Sequence, residues 1–96
     1  MNISIITFTE NGTKLAEKIR QAFVGTKMEE AKKLGLSLSD WTRQQFAEKN
    51  AIVVIGACGI AVRMIAPFVS DKLSDSPVVV ADEAGTFVIP LLSGHV

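Results

Sequence analysis

The side chains of this chain that can do chemistry gather in two places. The first is Ile52 to Arg63, IVVIGACGIAVR, where an apolar run stops at a Gly-x-x-Gly turn and resumes at helical spacing with one cation on it. That pattern is a strand, a tight turn and a helix start. The first N–H groups of a helix have no intrahelical partner, so an anion or a polarised carbonyl can be held by main chain along Gly56, Ala57, Cys58, Gly59 and Ile60. Gly56 and Gly59 can take positive φ and let a ligand approach the backbone. The same two glycines serve equally well for a close strand-to-helix turn that binds nothing. Arg63 lies about one turn in from Gly59. The macrodipole disfavours a cation near a helix N-terminus, which points to an anion or carboxylate partner; the alternative is a solvated charge or an ion pair with Asp82 or Glu83. Cys58 lies between the glycines, where a helix start can lower a thiol pKa. No histidine is placed by sequence to act as its base, so a small residue filling a crowded turn is the simpler role. The second place is Ser93, Gly94 and His95. His95 is the single histidine, and an imidazole that titrates near neutral pH is the natural general acid or base, although a lone terminal histidine is more often merely a solvated one.

The elements that must position these residues follow from apolar spacing. Ile3 to Phe8 is β-branched and apolar, a first strand whose exit loop is Thr9 to Gly12. Asn11 or Thr13 caps the helix that follows, with Leu15, Ile19, Ala22 and Phe23 on one stripe and Lys14, Glu17, Lys18 and Arg20 facing water. Gly25 marks its end. Val24 to Met28 reads as a short edge strand, and Met28 to Leu38 as a loop or a broken helix. Ser39 and Asp40 cap a second helix, with Trp41, Phe46 and Ala47 inward, Arg43, Gln44, Glu48 and Lys49 outward, and Asn50 at its end. Ile52 to Ile55 has the β-branched composition of a strand buried on both faces. A third helix runs from about Ile60 to Val69 with Ile60, Met64, Ile65 and Phe68 buried, shortened or kinked by Pro67. After a polar break at Ser74 to Pro77, Val78 to Ala81 repeats the buried-strand signature. Asp82 to Gly85 is a hairpin-like turn in which Gly85 supplies positive φ, and Thr86 to Ile89 is the antiparallel partner.

The fold class expected is α/β: one domain over residues 1–96, a three-layer sandwich with a mainly parallel sheet of four to five strands, the last antiparallel. The strand order expected is 2-1-3-4 with the last strand at the edge, joined by right-handed crossovers. Ligands of open α/β sheets bind at the carboxyl ends of the strands, a rim that the Thr9 to Gly12 loop and the Gly56 to Ile60 turn share. An antiparallel last strand exits at the opposite end unless Pro90 to Leu92 carries the chain back.

Composition narrows the classes. The 96 residues are 48% hydrophobic and 21% charged with a formal net charge of zero, ordinary values for a globular chain that imply no basic face and no nucleic-acid partner. One cysteine and one histidine exclude an internal disulfide and a Cys/His zinc site, and fit a reducing, cytoplasmic setting. No run approaches the roughly 18 apolar residues of a membrane span, and Met1 leads straight into a strand pattern, so the expectation is a soluble protein with no signal peptide and no membrane partner. The apolar Leu91-Leu92 pair needs burial. With the sheet edge, it leads us to expect self-association as a homo-oligomer.

Three segments together, GACGIAVRMIAPFVSDK (Gly56 to Lys72), VVVADEAGTFVIPLLSGHV (Val78 to Val96) and ISIITFTENGTKLAEKI (Ile3 to Ile19), resemble the N-terminal domain of the CbiG family, the cobalt-precorrin 5A hydrolases of anaerobic cobalamin biosynthesis. The likeness covers most of the chain and leaves Val24 to Leu38 nondescript. In that family the segment resembling SGHV runs on into a Gly-Gly-Ala-Asn stretch, a further helix, another region and a C-terminal domain, so the sequence reads as a fragment. The resemblance implies a hydrolase that opens the δ-lactone of a cobalt-bound, ring-contracted tetrapyrrole and expels a two-carbon unit as acetaldehyde. Such chemistry asks for an activated water, an oxyanion stabiliser and contacts to the carboxylates of the macrocycle. His95 and Arg63 are then the catalytic candidates, with Gly56, Ala57, Cys58, Gly59, Ile60, Ser93 and Gly94 for substrate binding. No protein metal site or cofactor is needed, because the cobalt arrives with the substrate. The partners implied are the cobalt-bound tetrapyrrole and the remaining CbiG regions. A second expectation is a non-catalytic module that binds the tetrapyrrole or assembles with the rest of the enzyme. A response-regulator-like or nucleotide-binding domain is less well matched, since the paired acids after the first strand and a full phosphate-binding glycine signature are missing.

Overall fold

In a computed structural model the chain is described over residues 2–69 and 76–92. The first half of the sequence-derived break, Ser74 and Asp75, and the terminal Ser93, Gly94 and His95 lie outside the described residues. The strands are β1 (Ile3–Thr7), β2 (Thr26–Glu30), β3 (Ala51–Ile55), β4 (Val78–Ala81) and β5 (Val88–Leu92). The helices are α1 (Glu10–Ala22), α2 (Leu38–Glu48) and α3 (Cys58–Ile65), with short 3₁₀ turns at Ala31–Lys33 and Ala66–Phe68. One five-stranded sheet has the order β2-β1-β3-β4-β5. The first four strands are parallel and β5 is antiparallel to β4, so the expected α/β class, order and edge strand are those observed.

Strand parity divides the core between two layers. Ile6, Ile52, Val54, Val78 and Val80 point to the side where Trp41 of α2 and Ala61, Met64 and Ile65 of α3 pack on them. Ile5, Ile55 and Ala81 point to the other side, beneath Ala16, Leu15 and Ile19 of α1. Burying each of the fully enclosed isoleucines Ile5, Ile6, Ile52 and Ile55 contributes roughly 1.5–3 kcal/mol. The strands read as continuous apolar runs because both faces are covered at β1 and β3.

Several boundaries differ from expectation. The α1 cap is Thr9, whose Oγ1 accepts the Gly12 N–H at 3.0 Å, not Asn11 or Thr13, both of which fall inside the helix. The helix stops at Ala22, so Ala22 and Phe23 are exposed and Ala16 supplies the buried contact. The α2 cap is Ser37, which accepts from the Asp40 N–H at 3.0 Å, so Ser39 and Asp40 lie in the first turn. Lys49 ends α2 in the left-handed region at φ 57. Ala47 is exposed, whereas Thr42 and Gln45 are buried. In α3 the buried stripe is Ala61, Met64 and Ile65, with Ile60 exposed at its margin and Phe68 half-buried. Ala61 shares the face of Met64 and Ile65 and takes the sheet contact expected of Ile60. Pro67 sits in the 3₁₀ turn that ends α3, and Arg43 of α2 covers the Phe68 ring at 5.6 Å. Gly85 takes φ 72, as the hairpin turn requires.

Candidate functional site

The turn after β3 presents open main chain. The Gly56 N–H donates to the Ala81 carbonyl of β4 at 3.0 Å, extending the ladder by one residue, and so is not available to a ligand. The Ile60 N–H donates to the Ala57 carbonyl at 3.1 Å, which removes Ile60 as a main-chain donor. Among the described residues, the N–H groups of Ala57, Cys58 and Gly59 are the donors of this turn left without a partner. Ala57 is the N-cap of α3 and provides no side-chain cap, in contrast to Thr9 and Ser37 of the other two helices. All three residues are exposed, and a Cβ added at Gly59 would meet nothing within 4 Å. Among the described residues, the first turn of α3 therefore carries donors without a partner and the positive end of the helix dipole on the surface.

Neither glycine of this turn has positive φ, so backbone strain is not their reason. Gly56 is favoured by packing, since a Cβ there would stand 3.2 Å from Cδ2 of Phe8 and the ring would have to give way. Among the described residues nothing lies within 4 Å of a Cβ built at Gly59, which leaves space above it for another molecule. Cys58 is a free, exposed thiol and fills no crowded position, contrary to expectation.

Arg63 lies in the last turn of α3. The expectation of an unfavourable dipole contact is thereby corrected, because a cation at this end is favoured. No ion pair engages it among the described residues. The acids expected as its partners are occupied elsewhere: Asp82 accepts from Thr86 Oγ1 at 2.6 Å and from the Phe87 N–H at 2.9 Å, and Glu83 accepts from Thr9 Oγ1 at 2.5 Å. Arg63 lines an open, largely apolar groove of about 320 Å³ between α2 and α3, with Leu38, Ser39, Ile60, Met64 and Pro67. Spaced four residues apart, Gly59 and Arg63 share one face of α3, so the open donors and the guanidinium form one stripe.

Sequence reasoning placed the Thr9 loop on the rim and named Glu83 as a partner for Arg63, but missed that Thr9 caps α1 and donates to Glu83. β3 lies between β1 and β4, so the Thr9–Glu83 hydrogen bond joins the loops that leave the two flanking strands across the end of β3. It fixes the side of the rim opposite the α2/α3 groove. The spacing Thr9-x-x-Gly12, a hydroxyl three residues before the N–H it accepts, was the available signal. The Asp82 carboxyl is held below the usual carboxylate range, first by the Phe87 N–H and then by the Thr86 hydroxyl, and so organises the β4–β5 turn.

β5 runs antiparallel and pairs Leu92 with Val78, the first residue of β4. The described chain therefore ends at the amino end of the parallel strands, away from the Gly56 turn. Among the described residues no group of three or more His, Cys, Asp or Glu side chains could hold a metal ion, and no helix is long and apolar enough to cross a membrane.

An open, mainly parallel sheet whose connections reverse direction between β1 and β3, with an uncapped helix start on its carboxyl rim, is a doubly wound α/β domain of the kind that binds ligands at that reversal. The sequence model of the cobalamin synthesis G N-terminal family matches residues 40–96, and the chain belongs to that family. It is 40% identical over 101 aligned positions, 98% of its length, to the cobalt-precorrin-5A hydrolase of Salmonella typhimurium, of which the match spans 29%. It is 45% identical over 51 positions to the cobalt-precorrin-5A hydrolase of Priestia megaterium, covering 53% of this chain and 14% of that protein. The chain thus spans about three tenths of the longer match. The crystal structure of a cobalamin biosynthesis protein G homologue from Sulfolobus solfataricus superposes on 98% of this chain with a TM-score of 0.70 at 24% identity, over 30% of that protein; it supports the fold.

Proposed function

We propose that this chain is the N-terminal part of a cobalt-precorrin-5A hydrolase, which opens the δ-lactone of a cobalt-bound, ring-contracted tetrapyrrole and releases acetaldehyde in cobalamin biosynthesis in the cytoplasm. The observation that carries this is the 40% identity to the Salmonella hydrolase across nearly the whole chain. The open start of α3 and the groove beside it support the following roles. The open N–H groups of Cys58 and Gly59 hold either the oxyanion formed as water adds to the lactone carbonyl or a carboxylate of the macrocycle. Arg63, one turn along the same face, takes an acetate or propionate side chain through its planar fork, while the apolar groove beside it receives the edge of the ring. His95, with Ser93 and Gly94, is the candidate to orient or deprotonate the water on its chemistry alone, since β5 leads away from the Gly56 turn. The domain needs no cofactor of its own, since the substrate brings the cobalt.

The test is to assay acetaldehyde from cobalt-precorrin 5A with the chain alone and with a full-length chimera in which the chain replaces the matching segment of the Salmonella enzyme. An active chimera that loses activity as Arg63→Ala and His95→Ala supports the reading. Wild-type rates in both variants remove those residues from the site, and an inactive chimera that is folded and binds substrate leaves the chain as the non-catalytic module.

A further inference from the structure

Exposure rises across the sheet toward β5 on both faces. Along the cross-strand row Thr7, Ile55, Ala81, Val88, on the α1 side, exposure is 0%, 0%, 5% and 62%. Along Ile6, Val54, Val80, Ile89, on the α2/α3 side, it is 0%, 0%, 3% and 45%. Phe87, just ahead of the strand, is 64% exposed. β5 therefore has the composition of a strand covered on both sides, VIPLL, and none of the charges that usually protect an edge, yet it stands at one.

The backbone shows how it can be covered. The Asp82 N–H donates to the Phe87 carbonyl, so by antiparallel alternation Ile89 faces β4 while Val88 and Pro90 turn their main-chain groups outward. Pro90 offers no N–H, which blunts the outer edge against regular pairing with another strand. What remains attractive is the apolar side-chain surface on the two faces: α1 packs chiefly over β1, β2 and β3 and reaches Ala81 of β4, but leaves Val88 beyond it 62% exposed.

We propose that the two faces of β5, through Val88 and Pro90 on one side and Phe87 and Ile89 on the other, are the docking surface for the polypeptide that follows this domain in the longer hydrolases. What favours that occupant is length. The match fills 29% of the Salmonella protein and the family region is an N-terminal one, so in those longer proteins most of the polypeptide is available to cover this surface. This inference rests on the reading of the chain as the N-terminal part of the hydrolase.

Hydrogen exchange on the isolated chain and on the full-length chimera tests it. Peptides covering 84–92 should exchange at least about tenfold more slowly in the chimera, while peptides within α1 exchange alike in both. Val88→Lys should leave the unfolding midpoint of the isolated chain unchanged, because the side chain is exposed there, and should return the chimera's β5 peptides to fast exchange. Equal β5 exchange in chain and chimera overturns the proposal. So does an isolated chain that sediments as a dimer dissolved by Val88→Lys, which would give the surface to a second copy. Acetaldehyde release by the chimera reports separately on the function: an active chimera with unprotected β5 keeps the hydrolase and removes the docking surface, and an inactive chimera with protected β5 does the reverse.

Discussion

Thr9 serves two loops with one hydroxyl, accepting from the Gly12 N–H and donating to Glu83. Replacing it by valine keeps the volume and removes both bonds. The loss of the cap should cost about 1 kcal/mol, lowering the thermal midpoint by about 4–8 °C for a chain of this size; an unchanged midpoint in calorimetry would show that the cap is idle. Asp82 predicts a pH effect of definite sign. Its carboxyl titrates lower in the folded chain than in the unfolded one, so its contribution is present above the unfolded value and fades as pH falls through the folded one. Urea unfolding between about pH 5 and pH 2 should therefore show a shallower acid-side loss of stability in Asp82→Asn than in the wild type, and identical slopes would contradict it. At this scale the sequence was only partly legible. Thr9, Asn11 and Thr13 are all competent caps, and what selects Thr9 is the point at which β1 releases the chain into extended backbone, which no local pattern encodes. Gly56 and Gly59 were legible as a turn, but only the Phe8 ring distinguishes the one that packing favours from the one left open.

The elements are fastened by polar groups as well as by the core. Gln45 of α2 accepts through Oε1 from Ser4 Oγ of β1 at 2.6 Å and from Asn50 Nδ2 at 2.8 Å, and its carbonyl accepts from Ser76 Oγ at 3.4 Å. These side chains are buried. Gln45→Ala should cost about 1–3 kcal/mol by leaving a hydroxyl and an amide without their acceptor, whereas Gln44→Ala, on the exposed face, should stay within about 0.5 kcal/mol. Chemical unfolding of the two variants side by side decides it, and equal midpoints would deny the network a role. Helix periodicity could not reveal Gln45, because one polar residue on an apolar face looks like a misassigned boundary. The same limit shifted α3. A period of 3.6 accommodates Ile60 with Met64 as well as Ala61 with Met64 and Ile65, and only the packing on the sheet decides between them. That shift also moved Arg63 from the positive end of the helix dipole to the negative one.

For the whole molecule, the parallel order β2-β1-β3-β4 was legible because β-branched runs alternate with helical stretches and crossovers are right-handed. β5 was less so. Pro90 inside a strand argues against one, and it is tolerated because its missing N–H turns away from β4. The open start of α3 is the proposed place where main chain meets the substrate, and one substitution isolates it. Ala57 has φ −75 and ψ 137, the backbone that a following proline demands, and proline is accepted at the first helical position. Cys58→Pro therefore deletes one donor and keeps the helix, while Cys58→Ser keeps the donor and deletes the thiol. The direct measurement is acetaldehyde release from cobalt-precorrin 5A by the full-length chimera carrying each change. Rates near wild type for the serine variant and lower by about 10²–10³ for the proline variant are expected. Equal rates in the two variants would contradict the account.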